Sequence, residues 1–162
     1  MKKISIVLSI LILSVCALKA KDKPYCTSGN CKNGYGTVIF LDDTVYRGYF
    51  KKGKFHGKGT MYYHKLKKVG KGTWKKGKIW KGYAIVVSPT KDVYMGYFKK
   101  GKFHGEGVFV SKSGKYYKGK FKKGRYYGCG SFHKANDELI AKGCWEDGEF
   151  EEDKDEEEDT NY

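Results

Sequence analysis

Hydrophobic and polar residues alternate along most of the chain, after a continuous apolar stretch near its start. Tyr46, Gly48 and Phe50 occupy alternate positions, so a strand there would present its rings and its glycine on one face. Lys-Lys-Gly follows at 51–53, and glycine accepts the positive φ that a tight hairpin turn requires. A second strand is expected to begin near Gly57. The pattern therefore predicts a β-hairpin.

This unit recurs along the chain. Segments 46–59 and 94–107 are nearly identical, and a weaker copy lies between them. The leading glycine of each copy recurs after 24, 24, 23 and 24 residues, at Gly48, Gly72, Gly96, Gly119 and Gly143. One hairpin cannot bury an aromatic face alone, so neighbouring copies are expected to share a continuous core.

Glycines share a face with the aromatic rings, which predicts that a ring from one strand lies over the glycine of a neighbour. The fold class is therefore predicted as all-β, an elongated single-layer antiparallel sheet of stacked hairpins. Ten strands at ~4.8 Å each would extend about 45 Å. One ring per copy is expected to join a ladder along this stack, formed by Phe50, Trp74, Phe98, Phe121 and Trp145.

The first twenty residues have the layout of a secretory signal peptide: a basic start, an apolar run over 4–15, then Ala17 and Ala20. The run is short for a bilayer span of ~20 residues. Segment 13–16 also resembles a bacterial lipobox, in which Cys16 would be lipidated, although Val15 departs from that pattern. An uncleaved anchor or a buried helix are the remaining alternatives. We expect an exported protein with an N-terminal signal helix over 1–20.

Export makes disulfides permissible, and four cysteines remain without Cys16. If a loop over about 133–140 joins two strands, Cys129 and Cys144 face each other, which predicts a cross-strand disulfide. Cys26 and Cys31 could close a small N-terminal loop. Four free thiols are the alternative.

Charge divides the chain into two parts. Residues 21–145 carry 29 Lys and Arg against 7 Asp and Glu, a net charge of +22. Residues 146–162 carry one Lys against 11 Asp and Glu, a net charge of −10. The predicted organisation is a signal peptide (1–20), a repeat domain (21–150) and a disordered acidic tail (151–162). The tail either lies on the aligned lysines of the turns and weakens their binding, or only improves solubility.

The pattern Tyr-x-Gly-x-Phe/Trp-x-x-Gly-x-x-His-Gly-x-Gly resembles the MORN repeat, from a partial copy at 26–43 to a partial copy at 141–150. The copies between them lie near 46–66, 70–90, 94–114 and 117–137. The second copy has Trp80-Lys81-Gly82 where His-Gly-x-Gly is expected, which predicts an irregular turn. The resemblance implies a single-layer sheet of hairpins, without catalysis, that binds proteins or acidic membrane lipids.

Lysine pairs recur at the hairpin turns, and stacking would align them along one edge. We interpret them as a candidate site for an anionic surface; solvation and protection of the sheet against aggregation is the alternative. The eight lysines are Lys51, Lys52, Lys75, Lys76, Lys99, Lys100, Lys122 and Lys123.

Catalytic, cofactor and metal sites are not predicted. His56 and His104 occupy equivalent repeat positions, but no cysteine or carboxylate recurs near them at ligand spacing. There is no Gly-x-Ser-x-Gly elbow and no phosphate-binding loop.

The sequence thus predicts a non-enzymatic scaffold or adaptor that is periplasmic, envelope-associated or extracellular. Its expected partner is an anionic membrane lipid, an envelope polymer or a protein; export disfavours nucleic acid. The alternative is a purely protein–protein scaffold, including a homodimer, without lipid binding.

Overall fold

The described chain forms one open antiparallel sheet. The computed structural model describes residues 24–151, and the sheet has twelve strands in chain order, each paired with its sequence neighbours. The all-β, single-layer prediction is therefore confirmed, with two more short strands than the ten expected. The strands are β1 Tyr25–Gly29, β2 Asn33–Ile39, β3 Val45–Lys51, β4 Lys54–Tyr63, β5 Lys68–Lys75, β6 Lys78–Val87, β7 Val93–Lys99, β8 Lys102–Val110, β9 Tyr116–Lys122, β10 Arg125–His133, β11 Leu139–Glu146 and β12 Glu149–Glu151.

The predicted signal helix, Cys16 and the acidic tail beyond Glu151 lie outside the described residues. One 3₁₀ turn, His64–Leu66, separates β4 from β5. Within residues 24–151, no helix has the length and apolar character needed to cross a bilayer.

The hairpin turns have the geometry that two-residue connections favour. Lys52 has φ 52° and Gly53 has φ 70°, and both values lie in the left-handed region that type I′ turns use. The second strand begins at Lys54, directly after the turn, so the expected start near Gly57 was wrong. Gly57 instead adopts φ 65° inside β4, where the β3–β4 register shifts at a β-bulge.

The core lies on one face of the sheet, here called the aromatic face. The five in-phase rings are buried as the ladder predicts, each with 3–6% of its surface exposed. Tyrosines connect them: Tyr46 contacts both Phe50 and Trp74, with centroid distances of 5.3 and 5.4 Å. Tyr94 and Tyr117 occupy the same place in later repeats and are 1% and 0% exposed.

In the second repeat, a tyrosine from another position in the chain supplies the buried ring. Gly70 stands in the phase of Tyr46, and the ring of Tyr63 packs beside it. The Tyr63 hydroxyl donates to the Ile85 carbonyl (2.9 Å) and accepts from the Ile85 amide (3.0 Å). Trp80 to Gly82 lie inside β6 rather than in a turn, so the predicted irregular turn was misplaced.

Both ends of the aromatic face are covered. At the first strands, the sulfur of Cys31 lies over Gly36, where a Cβ would be only 2.8 Å away from it. At the last strands, Phe150 lies over Gly143 and contacts Trp145 at 5.0 Å. The core therefore ends in a cap at each end of the repeat array.

Candidate binding surface

The hairpin turns form a continuous row along one edge of the sheet, here called the turn edge. Its members are residues 51–54, 75–78, 99–102, 122–125 and 146–149. Each turn is fastened to the repeat before it by its glycine amide. The amides of Gly53, Gly77, Gly101 and Gly124 donate to carbonyls of the preceding hairpin, each at 2.9 Å. The row is thus positioned by the backbone.

The eight predicted lysines all lie on the turn edge. Seven are exposed, whereas Lys122 is half-buried. Lys122 Nζ lies 4.0 Å from the ring centroid of Tyr127, and Lys75 Nζ lies 4.7 Å from that of Trp80. Cation–π contacts of this kind restrict a lysine without removing its charge. Their role in binding stays a prediction.

Each of the first four turns carries a third basic residue that the sequence analysis did not select. It follows the turn glycine and begins the second strand, and it is exposed in every case. The repeat phase contained this signal, because the same position recurs as Lys54, Lys78, Lys102 and Arg125.

The fifth turn reverses the charge of the row. Glu146, Asp147 and Glu149 take the positions that basic residues hold in the other four turns. Asp147 has φ 48° and Gly148 has φ 99°, so the turn keeps the left-handed geometry. A Cβ on Gly148 would lie 3.8 Å from the Cβ of Arg125, which places the acidic turn directly beside the last basic one.

The second face of the sheet, here called the opposite face, carries exposed tyrosines that the sequence analysis did not select. Tyr35 and Tyr49 pair edge-to-face at 5.3 Å, and Tyr83 and Tyr97 pair similarly at 5.5 Å. Tyr35, Tyr49 and Tyr97 remain about half exposed. They alternate with core residues along their strands, so pleat parity was the signal available in the sequence.

An open groove of about 1020 Å³ crosses the opposite face from β5 to β11. Tyr83 and Tyr97 lie toward one end of this groove, and Cys129 and Cys144 lie toward the other. Its charged lining consists of Glu106 and the lysines Lys68, Lys118, Lys120 and Lys142. Lysines of β5, β9 and β11 thus line one groove.

The four described cysteines form two disulfides in this structure, Cys26–Cys31 and Cys129–Cys144. These are the two pairs that the sequence predicts. Cys129 and Cys144 are directly opposed in the β10–β11 register, with Cα atoms 3.9 Å apart. The two bonds lie at opposite ends of the array, the first over the aromatic face and the second on the opposite face.

Three of the four histidines lie in strands, and His64 begins the 3₁₀ turn. His56 and His104 lie at equivalent points in β4 and β8 and are half-buried. His133 stacks on Tyr116 at 4.6 Å, and its Nε2 lies 2.8 Å from the Ser131 hydroxyl. Among residues 24–151, no three His, Cys, Asp or Glu side chains are grouped so as to hold a metal ion.

The family model described as the MORN repeat matches the chain twice, over residues 46–65 and 94–116. These segments cover β3 and β7 except for the first residue of each, all of β4 and β8, and the first residue of β9. The search of curated proteins found no match. MORN repeats are generally modules that bind proteins or membranes.

Proposed function

We propose that this chain, which contains two segments that match the MORN-repeat model, is a non-catalytic scaffold of the cell envelope that binds an anionic membrane or envelope polymer through its turn edge. One observation carries the proposal. Four turns of the same geometry each present three basic residues, and backbone hydrogen bonds hold every turn against the repeat before it.

The spacing of the turns suits a flat anionic surface. Successive turns are two strands apart, or about 10 Å, so four turns extend over roughly 30 Å. A lysine near an anionic membrane contributes about 1 kcal/mol, and the attraction weakens within a Debye length. A rigid row loses little entropy on binding, because its lysines are already aligned.

Vesicle sedimentation tests the proposal. The full chain is mixed with vesicles of phosphatidylglycerol and phosphatidylcholine, or of phosphatidylcholine alone, over a series of salt concentrations. The test variant replaces four turn lysines with asparagine, which tolerates their left-handed φ. The substitutions are Lys52→Asn, Lys76→Asn, Lys100→Asn and Lys123→Asn.

The matched control removes four positive charges from the other edge of the sheet, by Lys65→Gln, Lys67→Asn, Lys91→Asn and Lys112→Gln. We expect the wild type and the control to bind anionic vesicles in a salt-sensitive manner, and the test variant to lose at least about tenfold in affinity. Equal losses in both variants would mean that net charge, not the turn edge, drives binding. Salt-insensitive or absent binding would contradict the proposal.

A protein-binding scaffold is the second candidate, favoured by the exposed tyrosine pairs of the opposite face. Tyrosine is enriched at protein interfaces, where its ring buries a large area at low entropic cost. Self-association in analytical ultracentrifugation without vesicle binding would support this candidate, including the homodimer.

Export is part of the proposal and has its own test. Intact-mass and N-terminal analysis of the mature chain distinguishes cleavage after Ala17 or Ala20 from lipidation at Cys16. A chain that retains residues 1–20 in the cytoplasm would contradict an envelope scaffold.

A further inference from the structure

The groove on the opposite face collects more positive than negative side chains, and among its lysines Lys120 is paired across the strands with Glu106. Lys118 and Lys120 on β9 and Lys142 on β11 are exposed and line the same groove. Among residues 24–151, the one side-chain ion pair joins Lys134 to Glu138, outside the groove. Glu106 is the single acidic side chain among the described residues of the lining. The groove therefore has a net positive lining beside an aromatic wall.

The chain carries a matching acidic segment after β12. Residues 152–162 contain seven Asp and Glu and one Lys. The described chain ends at Glu151, which is paired with Cys144. Cys144 lines the groove, and Lys142 lies two residues before it in β11. The acidic segment thus starts at the groove's own end.

The direction of β12 favours the groove over the turn edge. Strand β12 leaves the acidic fifth turn and runs antiparallel to β11, away from the turn edge. A tail that turned back to the basic turns would also pass Glu146, Asp147 and Glu149, whose charges repel it. A tail that enters the groove from Glu151 needs no reversal of direction and does not pass the acidic fifth turn.

The tail is long enough to fill the groove. Its eleven residues span up to ~36 Å at about 3.3 Å each. The distance from β12 to β7, where Tyr97 lies, is five strand spacings or about 24 Å. We propose that residues 152–162 lie in the groove of the opposite face, with their carboxylates on Lys118, Lys120 and Lys142. The turn edge then remains free while the tail covers the opposite face.

Zero-length carbodiimide cross-linking of the full chain tests this placement, because it joins a carboxylate to an amine only where they touch. We expect peptides of the tail joined to Lys118, Lys120 or Lys142 within one molecule. These cross-links should disappear in about 1 M NaCl, where the Debye length is ~3 Å. Cross-links to turn-edge lysines, or only between molecules, or none from the tail, would overturn the proposal.

NMR spectroscopy provides a second measurement that does not depend on the cross-linking reaction. A full-chain variant converts the tail acids to amides: Glu152→Gln, Asp153→Asn, Asp155→Asn, Glu156→Gln, Glu157→Gln, Glu158→Gln and Asp159→Asn. We expect its amide NMR shifts to differ from the wild type at 118–120, 129–131 and 142–144. Changes confined to residues 146–151, or placed at the four basic turns, would reject the groove. Both measurements omit vesicles, so their outcome is independent of the proposed lipid binding.

Discussion

The hydroxyl oxygen of Tyr94 lies over Gly107 of the paired strand, so that a Cβ on this glycine would come within 2.6 Å of it. The same oxygen donates a hydrogen bond to the Tyr97 carbonyl at 3.0 Å. The ring is therefore held flat against the sheet at both its face and its hydroxyl. Tyr46 and Tyr117 repeat the arrangement over their own pairs of glycines.

Gly107→Ala should destabilise the protein by about 2–3 kcal/mol, because the new methyl group would collide with a buried ring that cannot move aside. The matched control is Gly53→Asn in a turn, where a Cβ meets nothing within 4 Å and the φ of 70° lies in the left-handed region that asparagine adopts. Urea unfolding should show a lower midpoint for the first variant and nearly none of that shift for the second. Similar midpoints for both variants would show that the ring does not require the glycine.

Two tryptophans provide a test of the ring ladder. Trp74 is 5% exposed within the core, whereas Trp80 is 39% exposed beside a turn. Trp74→Ala should cost about 3–5 kcal/mol through lost burial and the cavity left behind. Trp80→Ala should cost much less, since its ring is already partly in water. Chemical denaturation measures both, and a larger effect at Trp80 would contradict the assigned core.

Alkaline pH should weaken the fold through its buried tyrosines. Burial raises the pKa of Tyr94 and of Tyr46 well above the value of about 10 for an unfolded chain, and it raises the pKa of Tyr63 to about 12. The stabilisation is complete below pH 10 and is lost as the pH rises above it, because only the unfolded chain then releases these protons.

The double variant Tyr46→Phe and Tyr94→Phe should show a shallower loss of stability from about pH 8 to about pH 11. At neutral pH it should be less stable by about 1 kcal/mol for each lost hydrogen bond. Urea midpoints across that pH range measure both effects. Lysine titration contributes equally in the wild type and the double variant, so it cancels in the comparison. Parallel pH profiles would contradict the link to these tyrosines.

Removal of the Cys129–Cys144 disulfide as Cys129→Ser and Cys144→Ser should destabilise the chain by about 3 kcal/mol, as expected for a loop of fifteen residues. Hydrogen exchange should rise most in β11 and β12, which this bond ties to β10. The control variant, Cys26→Ser and Cys31→Ser, removes a disulfide that closes a shorter loop. It should instead loosen β1 and β2. Alkylation and intact mass establish the starting state, and four free thiols in the purified chain would refute both pairings.

The repeat spacing determined the fold class from the sequence alone. Rings and glycines that recur in phase can be buried only if consecutive hairpins share one face, so the sheet and its ladder followed from local pattern. The register of Cys129 and Cys144 could also be predicted, because hairpin pairing relates opposed residues by a constant sum of positions. The alignment of Lys51, Lys75 and Lys99 could be predicted from the repeat spacing.

Only the tertiary structure decided how residues from non-adjacent strands meet. The tyrosines that bridge the ladder, the bulge at Gly57 and the groove formed by Lys118, Lys142 and Tyr97 depend on the bulges and on the order of strands across the sheet. A repeat pattern specifies which face a side chain takes, but distances across several strands arise from the assembled sheet.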